Sequence, residues 1–138
     1  IEELYGAGGW VASPSELLRF LATIDNDSSI PDILTSESIE YMTSNVDHGL
    51  PIGWIETTKR GDWMRTGTLA GTSALMKRQK DGYSWVFLTN TSSWKGSRFP
   101  NYINRAVGQA MATVKEWPER DLFEMQSMDN EKLLVNVR

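Results

Sequence analysis

The sequence predicts an α+β fold, an antiparallel sheet of about three to five strands with helices packed on it. Three observations carry that expectation. Residues 73–80 and 83–90 are strand-like runs separated by Asp81-Gly82, a favoured hairpin turn. Residues 100–115 place Ile103, Ala106, Val107, Ala110, Met111 and Val114 on one helical stripe, sized to lie on a sheet. Ser13-Pro14-Ser15-Glu16 is a strong helix start ahead of an apolar run.

Taken in order, the chain opens with a glycine-rich entry at Gly6, Gly8 and Gly9. Ser13 is then the N-cap, Pro14 the first helical residue, and Glu16 the return partner of a capping box. Leu17, Leu18, Phe20, Leu21 and Ile24 form the helix's apolar face, and the polar cluster from Asp25 to Ser29 stops it. A shorter helix begins near Thr35 or Ser36 and runs to about Thr43, burying Ile39 and Met42. Residues 49–55 read as a short strand, and Arg60-Gly61-Asp62 as a turn. In the hairpin, the first run passes from Ala74, Leu75 and Met76 to polar residues. The second, with Trp85, Val86, Phe87 and Leu88, is apolar enough to be central. Trp117-Pro118 ends the last helix.

Composition narrows the chemistry. The chain has 138 residues, no Cys, one His (His48) and a net charge of -4. Thiolate zinc sites, iron–sulfur clusters, cysteine nucleophiles and His-pair metal motifs are therefore excluded, and neither metal nor cofactor is expected. Weak acidity argues against a nucleic-acid partner. No apolar run approaches the ~20 residues of a membrane-spanning helix. Charge is uneven, net -7 over residues 1–69 and +3 over residues 70–138. Lys77, Arg78 and Lys80 read as a solvated strand end. His48 reads as a solvated loop residue, and Glu2-Glu3 and Asp25/Asp27 as solvent-facing acids. Six Trp in so short a chain call for core packing, or for a surface that other chain covers. The start at Ile1 reads as an excised or processed segment.

Three stretches together resemble one family. Gly8-Gly9, Ser13, Glu16-Leu17 and Phe20 look like the Gly-Gly, Ser/Thr-x-x-Asp/Glu-Leu-x-x-Phe segment of penicillin-recognising serine hydrolases. These are the class C β-lactamases, DD-peptidases, D-aminopeptidases and related esterases. Arg65-Thr66-Gly67-Thr68, followed by Gly71-Thr72-Ser73-Ala74, looks like their third active-site motif, K-T-G or H-x-G. The hairpin and last helix are similar to the family's C-terminal strands and helix.

The resemblance implies a partial β-lactamase-like α/β domain over residues 1–124, with residues 125–138 a tail or linker. It implies acyl-enzyme hydrolysis of an amide, ester or D-amino-acid peptide by the complete enzyme, with a small-molecule or peptide substrate. The family's Ser-x-x-Lys lies well before such a segment, so this chain is expected to be inactive alone. By the resemblance, Arg65 and Thr66 hold a substrate carboxylate and Gly67 leaves room against the strand. The backbone N–H of Thr68 is an oxyanion-hole donor and the segment's catalytic contribution. Arg65 departs from the family's Lys or His and cannot relay a proton. A periplasmic or secreted location follows from the resemblance alone.

The chain does contain Ser92-Ser93-Trp94-Lys95 and Tyr102-Ile103-Asn104, which mimic the family's other two motifs. Both follow Arg65-Thr66-Gly67, the reverse of the family's order, and Gly96 directly after Lys95 reads as a polar turn. Two rival readings stand beside the hydrolase. One is a non-catalytic binding or sensory module on the same scaffold, favoured by Arg65. The other is a free-standing structural domain that self-associates through an exposed sheet edge.

Overall fold

The computed structural model describes residues 8–44, 51–58, 61–91 and 93–119. The chain divides into two compact units, residues 1–107 and 108–138. The first holds a four-stranded antiparallel sheet with three helices packed on it, so the fold is α+β. The element order is α1 (Pro14–Leu21), α2 (Ser36–Thr43), β1 (Glu56–Thr57), β2 (Trp63–Leu69), β3 (Thr72–Arg78), β4 (Ser84–Thr89) and α3 (Phe99–Met111). The strands lie side by side in chain order. Described residues after 107 are the end of α3 and the segment that follows it.

Helix α1 starts as its capping box dictates. Ser13 Oγ accepts from Glu16 N at 3.2 Å, and Glu16 Oε2 accepts from Ser13 N at 2.7 Å. It ends sooner than the apolar spacing suggests. Thr23 N and Ile24 N donate to Phe20 and Leu21 carbonyls, three residues back, and the Thr23 hydroxyl also donates to Phe20 O. These tighter bonds close the last turn before Ile24. Helix α2 follows its expected bounds, with Thr35 as N-cap accepting from Ser38 N.

One expectation fails between α2 and β2, and another in the turn between β3 and β4. Residues 49–50 lie outside the described residues, and 51–55 form no strand. Instead Ile52 N donates to Met42 O, the Trp54 ring is buried, and strand pairing starts only at Glu56. The hairpin differs too. Gly82 N donates to Gln79 O and Gln79 N to Tyr83 O, so the loop is the three residues Lys80, Asp81 and Gly82. That is a type I turn closed by Gly82 at φ 91°, where glycine carries no Cβ penalty.

Pairing register sorts the side chains into two faces. Trp63 sits opposite Arg78, Arg65 opposite Met76 and Gly67 opposite Ala74; Ala74 in turn sits opposite Leu88. These residues share one face, because alternate residues of a strand point the same way. On that face Leu21 of α1, Ile39 of α2, Trp54 and Trp63 form the buried core, with Ile24 and Met76 packed against it. The Trp54 and Trp63 rings meet at 5.6 Å, a geometry worth about 0.5–1.5 kcal/mol beyond area burial. Met64, Leu75 and Phe87 point to the other face, where Phe99 meets Phe87 edge-on at 6.0 Å. The sheet is thus sandwiched, with α1 and α2 on one side and the start of α3 on the other.

Helix α3 stops at Met111, short of Lys115. Thr113 N and Val114 N donate three residues back, and the Thr113 hydroxyl donates to Ala110 O. The first half of its stripe, Ile103 and Val107, is half-buried; Ala106 and Ala110 are exposed. The expected tail at 125–138 lies outside the described residues.

Candidate functional site

The four residues singled out from sequence, Arg65, Thr66, Gly67 and Thr68, all lie on β2. β2 begins as an inner strand and ends as an edge. β1 pairs only with Trp63 and Met64. Ile55 N donates to Met64 O at 2.9 Å, so the main-chain groups of Met64 face β1. By alternation, those of Arg65 and Gly67 face β3, and those of Thr66 and Thr68 face outward, beyond the end of β1. The outer edge from Arg65 onward has no strand against it among the described residues. The N–H of Thr68 is therefore directed away from β3, where no described strand pairs with it, and the Thr68 side chain is exposed.

Side chains leave this edge in two directions. Arg65 and Gly67 project from the core-bearing face, Thr66 and Thr68 from the opposite one. A ligand group touched by both Arg65 and Thr66 must sit at the edge itself, between the faces. Arg65 is exposed, and among the described residues its guanidinium makes no hydrogen bond. A planar two-pronged donor is thus available to a carboxylate. At Gly67 the backbone is ordinary, and an added Cβ would meet only Ala74 Cβ at 3.8 Å. The edge is smooth there because no side chain is present, not because the backbone requires glycine. Gly71, at φ 82°, is different. It makes the tight reversal from β2 into β3 that no other residue type enters easily.

The start of β2 is held rigidly. Arg78 reaches across from β3, stacks 4.8 Å above the Trp63 ring and donates through Nη1 to Gly61 O at 2.9 Å. Asp62 Oδ1 accepts from Lys80 N, and Gly61 N closes the turn onto Thr58 O. Arg60 lies outside the described residues. These bonds revise the view of Lys77, Arg78 and Lys80 as a solvated strand end. Arg78 is a strut, and Lys77 is half-buried and donates to Asn104 Oδ1 at 3.2 Å. Only Lys80 is exposed.

The two mimic motifs are partly brought together. Lys95 Nζ lies 3.9 Å from the Tyr102 ring centroid and 4.1 Å from that of Trp94. Ser92 lies outside the described residues. Gly96 N donates to Ser93 O and Lys95 N to Ser93 Oγ, a polar turn that leads into one 3-10 turn, Gly96–Arg98. The Lys95 ammonium rests on ring faces, and among the described residues it makes no hydrogen bond to a serine hydroxyl. Sequence reasoning treated the two motifs apart and missed this contact. The 3-10 turn lies against β2.

The acids show no site chemistry. Asp25 accepts from Asp27 N, and partial burial raises its pKa above the usual carboxylate range. Asp27 accepts from Ser29 N, which lowers its pKa. No group of three or more metal-binding side chains occurs among the described residues, and no described helix is long and apolar enough to cross a membrane. His48 and Glu2-Glu3 lie outside the described residues. Comparison with family models, curated proteins and solved structures finds no match for this chain.

Proposed function

We propose that this chain is the C-terminal segment of a β-lactamase-like serine hydrolase and supplies the third-motif strand and oxyanion-hole wall of its site. The observation that carries the reading is the open outer edge of β2. Thr66 and Thr68 turn their main-chain groups to it, and Arg65 stands exposed beside them, its guanidinium without a hydrogen bond among the described residues. In this reading Arg65 and the Thr66 hydroxyl hold a substrate carboxylate at the edge, and substrate lies against the bare backbone of Gly67. Thr68 N–H donates to the oxygen that gains charge when a serine hydroxyl adds to the substrate carbonyl. The serine and its base come from elsewhere, because no Ser-x-x-Lys precedes Arg65 in these residues. The complete enzyme forms an ester to that serine, expels the leaving group, and hydrolyses the ester with water. Action outside the cytoplasm follows only from the family likeness.

The test is a nuclear magnetic resonance titration of the chain with benzylpenicillin, which carries the required carboxylate, alongside intact-mass analysis. The reading expects amide shifts centred on Thr66 and Thr68 that weaken in Arg65→Ala, and no covalent adduct. Absence of shifts on β2 would sink the site assignment. A stoichiometric adduct would sink the claim that the nucleophile lies elsewhere. A non-catalytic binding module on the same scaffold is the second reading, favoured by Arg65 standing where a proton-relaying Lys or His is usual. The coding sequence ahead of Ile1 separates the two: a Ser-x-x-Lys there supports the hydrolase, and its absence supports the binding module.

A further inference from the structure

The sheet stands between two oppositely charged sets of residues. On one side α1, α2 and the loop joining them, residues 14–43, hold six acids and one base, Arg19. On the α3 side the chain from Gly82 to Val107 holds no acid at all, and its charges are Lys95, Arg98 and Arg105. Lys77 of β3 adds to them, since it donates to Asn104 of α3. The cations form a surface stripe. The 3-10 turn Gly96–Arg98 runs into α3 without a break, because Phe99 is helical at φ -58° and ψ -45°. Arg98, Tyr102 and Arg105 are spaced four and three residues apart and therefore share one helix face. Phe99, against Phe87 of the sheet, and the half-buried Ile103 take the opposite face. All three stripe residues are exposed, and among the described residues neither guanidinium makes a hydrogen bond or ion pair. Their Cα atoms are roughly 10 Å apart. Lys95 lays its ammonium on the Tyr102 ring at 3.9 Å and on the Trp94 ring at 4.1 Å, and Trp94 is 87% exposed.

Uncharged chain laid over this stripe would take two guanidinium groups out of water without giving them a partner, which is costly. What docks there must bring negative charge. We propose that the stripe seats the protein on an anionic phospholipid surface. Three features favour a lipid surface over another polyanion. The outer face of a helix is convex, with no groove to track the backbone of a nucleic-acid strand, and the chain as a whole is acidic, at pI 5.0. Exposed Trp and Tyr rings beside cations suit the boundary between lipid headgroups and acyl chains, where one end of a ring is apolar and the other wet. Charge segregation across the sheet also orients the molecule. A negative plane attracts the α3 side and repels the side that bears α1 and α2.

The test is co-sedimentation of the full chain with lipid vesicles. Vesicles of mixed phosphatidylglycerol and phosphatidylcholine should carry the chain down at low salt, vesicles of phosphatidylcholine alone should not, and high salt should release it. Arg98→Gln and Arg105→Gln should each weaken the partition about fivefold, the worth of one basic residue near such a surface. Trp94→Ala should weaken it as well, and Arg19→Gln, on the far side of the sheet, should leave it unchanged. All four side chains are exposed, so these variants keep the fold. No recovery on the anionic vesicles overturns the proposal. So does equal recovery on both vesicle types, or parent-like binding by Arg98→Gln and Arg105→Gln. Tighter binding to a single-stranded oligonucleotide at the same salt also overturns it and makes the stripe a nucleic-acid surface. No arm contains benzylpenicillin or alters β2, so this proposal and the hydrolase reading fail independently.

Discussion

Replacing Gly67 with Ala separates what the fold needs from what the candidate site needs. Its φ lies outside the left-handed region, and the added Cβ would meet Ala74 Cβ at 3.8 Å, an ordinary contact. Alanine therefore fits without strain. The substitution removes freedom from the unfolded chain, worth about 0.4–1 kcal/mol in favour of the folded state. For a domain of this size that raises Tm by roughly 2–4 °C. Chemical denaturation should show a higher midpoint with an unchanged slope. The same methyl lies on the open stretch of β2, where substrate backbone is proposed to pass, so benzylpenicillin-induced shifts at Thr68 should weaken. A more stable protein that binds less well would mean the glycine serves the edge rather than the fold. Loss of more than about 1 kcal/mol would refute the reasoning, because glycine would then be structurally required there. Unchanged binding would remove Gly67 from the site.

Three further outcomes follow from the packing and the titrating groups. Leu75, 1% exposed in the middle of β3, should cost about 2–5 kcal/mol when cut to Ala, read by urea unfolding. Glu16, whose pKa is lowered chiefly by the Ser13 backbone N–H, favours the fold above its unfolded pKa, an advantage lost as pH falls through its folded value. Glu16→Gln should thus be less stable than the parent at pH 7, with the gap closing in acid. Asp25 has the opposite sign, because burial raises its pKa, so its charge weighs against the fold once pH exceeds the folded value. Asp25→Asn keeps an acceptor for Asp27 N and should gain stability at pH 7 but not in strong acid; an equal gain at both would refute the assignment.

Much of the local architecture was legible in the residues. The Ser13–Glu16 capping box, the start of α2 near Thr35 or Ser36, the two hairpin runs and the start of α3 depend on contacts a few residues apart, which sequence spacing reports directly. The misses have the same physical root. Helices α1 and α3 end early because the Thr23 and Thr113 hydroxyls take carbonyls that another turn would have used. Residues 51–55 look like a strand, yet Trp54 is drawn into the core with Leu21 and Ile39, and of these residues only Ile55 bonds to β2, through its N–H to Met64 O. The hairpin loop is three residues because Gly82 closes a type I turn rather than sharing a two-residue one with Asp81.

The sequence alone determined the fold class, the order of the main elements and the exclusion of thiol and His-pair metal chemistry, since these follow from composition and short-range pattern. It also marked Arg65, Thr66, Gly67 and Thr68 as one group, because they are consecutive. Only the tertiary structure decided that β1 pairs no further along β2 than Met64, so that Thr66 and Thr68 face an edge with no strand against it among the described residues. It likewise decided that Arg78 braces Trp63 rather than meeting solvent, and that among the described residues β4 has a strand on one side only, despite its apolar run. Whether a strand is central or an edge depends on which distant segments lie beside it, and hydrophobic alternation along one strand carries no record of its neighbours.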